Sequence, residues 1–135
     1  MEHGLTVTHV NLQPGQSVEV KGTILPSCTG FEVNLGKDCD NLILHFNPRF
    51  NCKGDMNTIV CNSKRDGVWG EEERETKFPF EQGGKFQASF NFASSEIKVT
   101  LPEDQVICFP NLLDLDVIDY IEVAGDFKIK VLKFP

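Results

Sequence analysis

Apolar residues recur at every second position in five separate stretches of this chain, a period that helices cannot satisfy. Phe31, Val33 and Leu35 alternate with Glu32 and Asn34, and Leu42, Leu44 and Phe46 alternate with Ile43 and His45. Phe86, Ala88, Phe90 and Phe92, then Ile97, Val99 and Leu101, and finally Phe127, Ile129 and Val131 repeat the pattern. Successive side chains of a strand point to opposite faces, so each stretch reads as a strand with one face in a core. Turn residues punctuate them at Pro14-Gly15, Gly36-Lys37-Asp38, Lys53-Gly54-Asp55, Arg65-Asp66-Gly67, Gln82-Gly83-Gly84 and Ala124-Gly125-Asp126. Only Pro110 to Asp116 leaves room for one helical turn. Many short strands with such punctuation predict an all-β, antiparallel sandwich or barrel. With no linker, repeat or low-complexity tract, residues 1–135 are expected to form one domain, and most of its eleven Phe are expected to fill the interior.

Charge and cysteine content narrow the function classes. The net charge is −7, and the densest basic stretch is only Lys128, Lys130 and Lys133. Phosphate backbones are bound through clustered Lys and Arg, so nucleic acid is not an expected partner. No apolar run approaches the roughly 20 residues of a membrane span, so insertion in a membrane is not expected. Cys28, Cys39, Cys52, Cys61 and Cys108 are odd in number, lack CxxC spacing and form no ligand set with the three His. No metal or cofactor is expected, and the thiols read as free in a reducing compartment. The N-terminal MEHGLTVTHV has neither the basic nor the apolar region of a signal peptide, which points to cytoplasmic synthesis.

The chemistry concentrates between His45 and Arg74. In LILHFNPRF (Leu42 to Phe50), an extended backbone turns Leu42, Leu44, Phe46 and Phe50 one way and His45, Asn47 and Arg49 the other. Imidazole, amide and guanidinium in one row differ from the Lys, Glu, Thr and Ser of an ordinary solvated face. Pro48 within the row cannot donate to a ladder, so the strand is expected to be bent, bulged or at an edge there. Downstream, Asn62 alternates with Ile59 and Cys61, and Trp69-Gly70-Glu71-Glu72-Glu73-Arg74 follows, with Glu72 and Arg74 on one face and Gly70 removing bulk beside the indole. A lone Trp more often fills a core, a Glu run is more often solvated surface, and a lone His is more often structural. Together, however, they suit a sugar. Hydroxyls are read by Asn, carboxylate and Arg, while the C–H face of a pyranose stacks on an indole.

HFNPRF, then Asn62, then WGEEER resembles the signature H-x-N-x-R … N … W-G-x-E-x-R of the galectins, and the GFEVNLG, KFPF, LPE and Gly125-Asp126-Phe127 segments extend the likeness over the whole chain. The resemblance is to the one-domain, dimer-forming (proto-type) members. It implies a jelly-roll, concanavalin-like sandwich of two sheets with a β-galactoside on the concave face of one. In that pattern His45, Asn47 and Arg49 hold the axial 4-hydroxyl of galactose, Asn62 and Glu72 hold the 6-hydroxyl, and Trp69 stacks under the ring. Arg49, Glu72 and Arg74 reach the next sugar. Lys53 stands where related one-domain members often have His, which makes it a secondary contact bearing on preference among longer glycans. The resemblance further implies β-galactoside-bearing glycans and glycoproteins as partners and a homodimer that cross-links them. It also implies passage to the extracellular space and matrix without a signal peptide. Leu5, Val7 and Val10 at one terminus, with Ile129, Val131, Leu132 and Phe134 at the other, are the candidate dimer edges.

Two other classes stand beside the lectin. A glycosidase using Glu71, Glu72 or Glu73 needs a second carboxyl and one that stays protonated. Glu72, expected between Arg49 and Arg74, reads instead as a hydrogen-bond acceptor, so no enzyme is expected and no catalytic residue is assigned. A member of the fold acting only through protein contacts would not need all seven sugar positions, and all seven are present.

Overall fold

The computed structural model describes residues 4–135; Met1 to His3, the start of the N-terminal stretch read above, lie outside the described residues. The strands are β1 (Leu5–Leu12), β2 (Ser17–Ile24), β3 (Phe31–Asp38), β4 (Asn41–Cys52), β5 (Asp55–Arg65), β6 (Val68–Trp69) and β7 (Glu73–Glu75). After them come β8 (Lys85–Phe92), β9 (Glu96–Thr100), β10 (Val106–Pro110), β11 (Ile118–Gly125) and β12 (Phe127–Lys133). One sheet runs β1-β11-β3-β4-β5, with β6 and β7 pairing successive stretches of β5; the other runs β10-β9-β8-β2-β12. Neighbouring strands are antiparallel throughout, which is the expected all-β sandwich.

Nine of the eleven Phe lie in the core between the sheets, as their apolar character requires. Phe31 of β3 is 1% exposed and knits the layers together. Its ring stacks on Phe127 of the opposite sheet at 5.0 Å and meets Phe86 edge-on at 5.1 Å. Phe46 of β4 meets Phe90 of β8 edge-on at 5.5 Å. Offset-stacked and edge-on pairs match the ring quadrupoles as well as burying area.

Four local readings of the sequence are corrected. Gly36-Lys37-Asp38 is not a turn: β3 continues to Asp38 and the chain reverses at Cys39-Asp40. Gly36 is there for close approach, because a Cβ would collide with the Asn41 carbonyl on β4. Strict alternation fails at Ile43, since a bulge between Leu42 and His45 turns both Ile43 and Leu44 into the core and leaves Leu42 outside the main cluster. Pro48 marks neither an edge nor a bulge, since the register is the same on both sides of it. β4 runs through it between β3 and β5, and the irregularity is a gap in the β3–β4 ladder between Val33↔Phe46 and the bridge Gly30↔Arg49. Finally, 110–116 holds turns rather than a helical turn, and a 3-10 turn lies instead at Pro102–Asp104. The Asn111 side chain donates to the Leu115 and Ser94 carbonyls and accepts from the Leu115 amide, closing the loop in place of helical hydrogen bonds.

Because Phe31 contacts both sheets with no room to collapse, Phe31→Ala should lower the unfolding free energy by about 3–5 kcal/mol in a urea titration. A loss under 1 kcal/mol would mean that the aromatic cluster is not what joins the layers.

Candidate functional site

The groove begins with β4. His45, Asn47 and Arg49 share the face of this strand turned away from the core, yet they are only 7%, 6% and 4% exposed. Buried polar groups need partners, and those partners define the site. Register sets His45 directly opposite Asn62 on β5, and Val60 lies between Asn47 on one side and Arg74 on the other.

A chain of hydrogen bonds fixes the protonation of His45. Asn34 of β3 has Nδ2 at 2.8 Å from Glu32 and 2.9 Å from Glu122. Carboxylates only accept, so both amide hydrogens go to them and Oδ1 of Asn34 is left facing His45, 2.6 Å from Nδ1. Nδ1 must therefore carry the proton, which leaves Nε2 as an acceptor in the neutral ring. Burial pulls the His45 pKa below its ordinary 6.5, with Lys53 and Arg49 adding to the effect and Glu32 and Asn47 opposing it.

Asn47 fills the gap left by Pro48. The registers on either side place Pro48 opposite Phe31, whose carbonyl would otherwise receive a backbone N–H. Asn47 Nδ2 donates there instead, at 2.7 Å, and its Oδ1 accepts from Arg49 Nε at 2.9 Å. Arg49 Nη1 then donates to Asp55 at 2.7 Å, with Glu72 3.6 Å from Nη2. Asp55 also takes Nε and Nη2 of Arg74, both at 3.1 Å, and Arg74 Nη2 reaches Glu72 at 3.0 Å. Arg74 first, and Arg49 after it, hold the Asp55 carboxyl below the usual carboxylate range; Asp55, then Glu72, raise the pKa of Arg74. The result is a fixed array of two guanidiniums and two carboxylates at the groove wall.

Trp69 ends the short strand β6 and is 48% exposed, so it is not a core residue. Its ring sits 4.6 Å from the His45 ring, and Lys64 Nζ lies 4.9 Å from its centroid. Gly70 serves a different purpose from the one expected. A Cβ there would come within 2.8 Å of Ser63 Oγ and 3.3 Å of Asn62 Oδ1, so its bareness lets the edge close on β5 rather than making room beside the indole. Asn62 Oδ1 accepts the Ser63 amide at 2.8 Å, while Nδ2 of Asn62 has no partner among the described residues. Lys53 and Gly54, both with positive φ (50° and 83°), form the two-residue turn between β4 and β5 and set the Lys53 side chain on the groove rim.

All eight sequence-derived residues are thus brought to one place: seven of them line or floor an open groove of about 770 Å³, and Asn47 lies beneath it. Donors, acceptors and an exposed indole converge in a shallow depression, an inventory for a polyhydroxylated ring with one apolar face. Among the described residues no group of His, Cys, Asp and Glu is arranged to hold a metal ion. Sequence reasoning missed Asp55, Asn34 and Glu32. Asp55 was legible only as a turn residue, because strict alternation puts it with Ile59 and Cys61 on the core face; the left-handed backbone at Asn57 (φ 46°) breaks that alternation. Asn34 and Glu32 were visible only as polar residues of an alternating strand.

The chain as a whole is similar to known proteins. The family model described as "Galactoside-binding lectin" matches residues 3–134. The "16 kDa beta-galactoside-binding lectin" of Gallus gallus is 54% identical over 134 residues, covering 99% of each chain. The solved structure of "CG-16, a homodimeric agglutinin from chicken liver" superposes with a TM-score of 0.96 at 53% identity, over 98% of this chain and all of that one. The complex of toad ovary galectin with thio-digalactose also gives 0.96, at 40% identity over the full length of both chains.

The lowered His45 pKa has a testable sign. Unfolded, the imidazole takes a proton near 6.5; folded, it does so only at lower pH. The stability it contributes is therefore present above about pH 6.5 and lost as pH falls from there through the folded value. Nitrogen-15 NMR should show His45 more than half neutral at pH 6.5 with the neutral form's proton on Nδ1, and Asn34→Ala should mix the tautomers. A ring half-protonated at 6.5, or protonated on Nε2, would contradict the assignment.

Proposed function

This chain belongs to the galactoside-binding lectin family, the galectins, and from that premise we propose that residues 1–135 form one carbohydrate-recognition domain reading a β-galactoside in the groove on β4, β5 and β6. The proposed pose sets the axial 4-hydroxyl on His45, Asn47 and Arg49. Nε2 of His45 accepts the hydroxyl proton, and the guanidinium of Arg49 donates back to the oxygen. Asn62 Nδ2 and Glu72 take the 6-hydroxyl, Trp69 lies under the C–H face, and Arg49, Glu72 and Arg74 address the next sugar, with Lys53 beyond them. The observation that carries the reading is the neutral, oriented His45 beside a buried Arg49: acceptor and donor are both fixed before any ligand arrives. An equatorial 4-hydroxyl would leave part of that row unpaired, a loss of roughly 1–3 kcal/mol per buried group.

The domain acts in this reading as a binder and not as an enzyme. Glycoside hydrolysis needs a carboxyl held protonated, whereas Asp55 and Glu72 are engaged by guanidiniums as acceptors. A shallow polar groove gives disaccharide affinities on the order of 10–100 μM, and cross-linking glycoproteins at that strength calls for two sites on one particle. A homodimer through β1 and β12 provides them: each is the edge of its sheet, and an edge invites pairing with a second copy. Five free thiols fit synthesis in a reducing cytoplasm, with the ligands met after export to the extracellular space and matrix.

Trp69 is the only Trp, so its fluorescence reports on the groove. Lactose should change it with a midpoint in the stated range, while sucrose and mannose should not. No change with lactose, together with no retention on a lactose column in reducing buffer, would overturn the reading. Sedimentation at tens of micromolar should show a dimer, and a monomer there would remove the proposed pairing.

A further inference from the structure

The groove is bounded on the β3 side by one carboxylate, Glu32, which Asn34 links to a second, Glu122 of β11. Asn34 gives one amide hydrogen to Glu32 and the other to Glu122. A single neutral amide thus bridges two negative charges, and among the described residues neither carboxylate joins an ion pair. Asn34 occupies only one oxygen of Glu32, which leaves the side chain a second. The opposite end differs in sign. There the two guanidiniums are matched by Asp55 and Glu72, and Lys53 adds a positive charge with no ion pair among the described residues.

The proposed pose decides which part of a galactoside meets each end. C3 and C5 flank C4 on opposite sides of the pyranose ring. With O4 on the His45 row and C6 directed to Asn62 and Glu72 on the β5 side, C3 is directed to β3. The 3-hydroxyl then faces Glu32, while the anomeric carbon and the next sugar run toward Arg74 and Lys53.

Resting on the galactoside reading, we infer that Glu32, backed by Glu122 through Asn34, is a specificity-determining residue that accepts a free galactose 3-hydroxyl and rejects galactosides carrying an anion on O3. A free 3-hydroxyl can donate to the carboxylate; once O3 carries a sulfate or a carboxylated sugar, that oxygen has no proton to give and the added anion is repelled. Removing water from the floor of the groove strengthens that repulsion beyond its value in bulk solvent. An anion on the next sugar lies at the Lys53 end and escapes the penalty.

Calorimetric titration of the unmodified protein with lactose, lactose 3′-sulfate and lactose sulfated on its glucose ring tests this. At low salt the 3′-sulfate should bind about tenfold or more weakly than lactose, and the glucose-sulfated isomer should not. Raising the sodium chloride concentration from 20 to 500 mM should narrow the first gap by screening. Glu32→Gln keeps a carbonyl oxygen for Asn34 and should collapse the lactose-to-3′-sulfate ratio by about tenfold, with Glu122→Gln giving a smaller collapse. Equal binding of lactose and its 3′-sulfate at 20 mM salt would overturn the inference, as would a penalty indifferent to both salt and Glu32→Gln. No binding of lactose at all would overturn the galactoside reading itself and this inference with it.

Discussion

Arg49 is a guanidinium 4% exposed at the floor of an open groove, and most of the site follows from what that burial demands. A charge removed from water is tolerable only when it is paired and hydrogen-bonded. Asn47 takes its Nε, Asp55 takes Nη1 and Glu72 stands near Nη2, so each partner is held in turn by the cation it serves. Asp55 extends the array to Arg74, which binds Glu72. The groove wall is consequently a rigid lattice of charges, and a ligand hydroxyl entering it meets donors and acceptors already aimed. Rigid preorganisation matters most in a shallow site, where few contacts must offset the cost of desolvating every hydroxyl.

The same strand carries both the fold and the site. The core face of β4 supplies Ile43, Leu44, Phe46 and Phe50 to the aromatic interior, and its outer face carries His45, Asn47 and Arg49. Phe46 and Phe31 therefore anchor, from below, the backbone that aims the polar row above. Pro48 ties the two faces together. By denying the Phe31 carbonyl an amide partner, it recruits Asn47 into the ladder gap and fixes the oxygen that Arg49 uses. A residue that reads as a defect in a strand becomes the reason that a functional amide has only one orientation.

Charge is distributed between the sheets in a way that composition conceals. The strands of the β10-β9-β8-β2-β12 sheet carry six Lys against two Glu, although the whole chain has a net charge of −7. The acidic excess lies elsewhere, and part of it, Glu32, lines the groove, with Glu122 linked to it through Asn34. These carboxylates orient the imidazole through Asn34, so the hydrogen bonds that set the tautomer also place negative charge beside the proposed sugar site.

What the sequence by itself determined was everything that depends on period and on residue chemistry. Alternation marked β3, β4, β8, β9 and β12 among the twelve strands, Phe content marked the core, and the spacing of His45, Asn47, Arg49, Asn62, Trp69, Glu72 and Arg74 marked the polar set that the fold assembles. Alternation is a local rule, and it failed where the backbone departs locally from a regular pleat. It misread the close-packed Gly36, the bulge at Ile43 and the left-handed backbone at Asn57, near which Asp55 turns to Arg49. Tertiary structure alone decided the pairings of side chains across neighbouring strands: Asn34 with His45, Glu122 with Asn34, Asp55 with both arginines. Those contacts follow from register, and register is settled only when two sheets close over a shared core and every buried polar atom must find its partner.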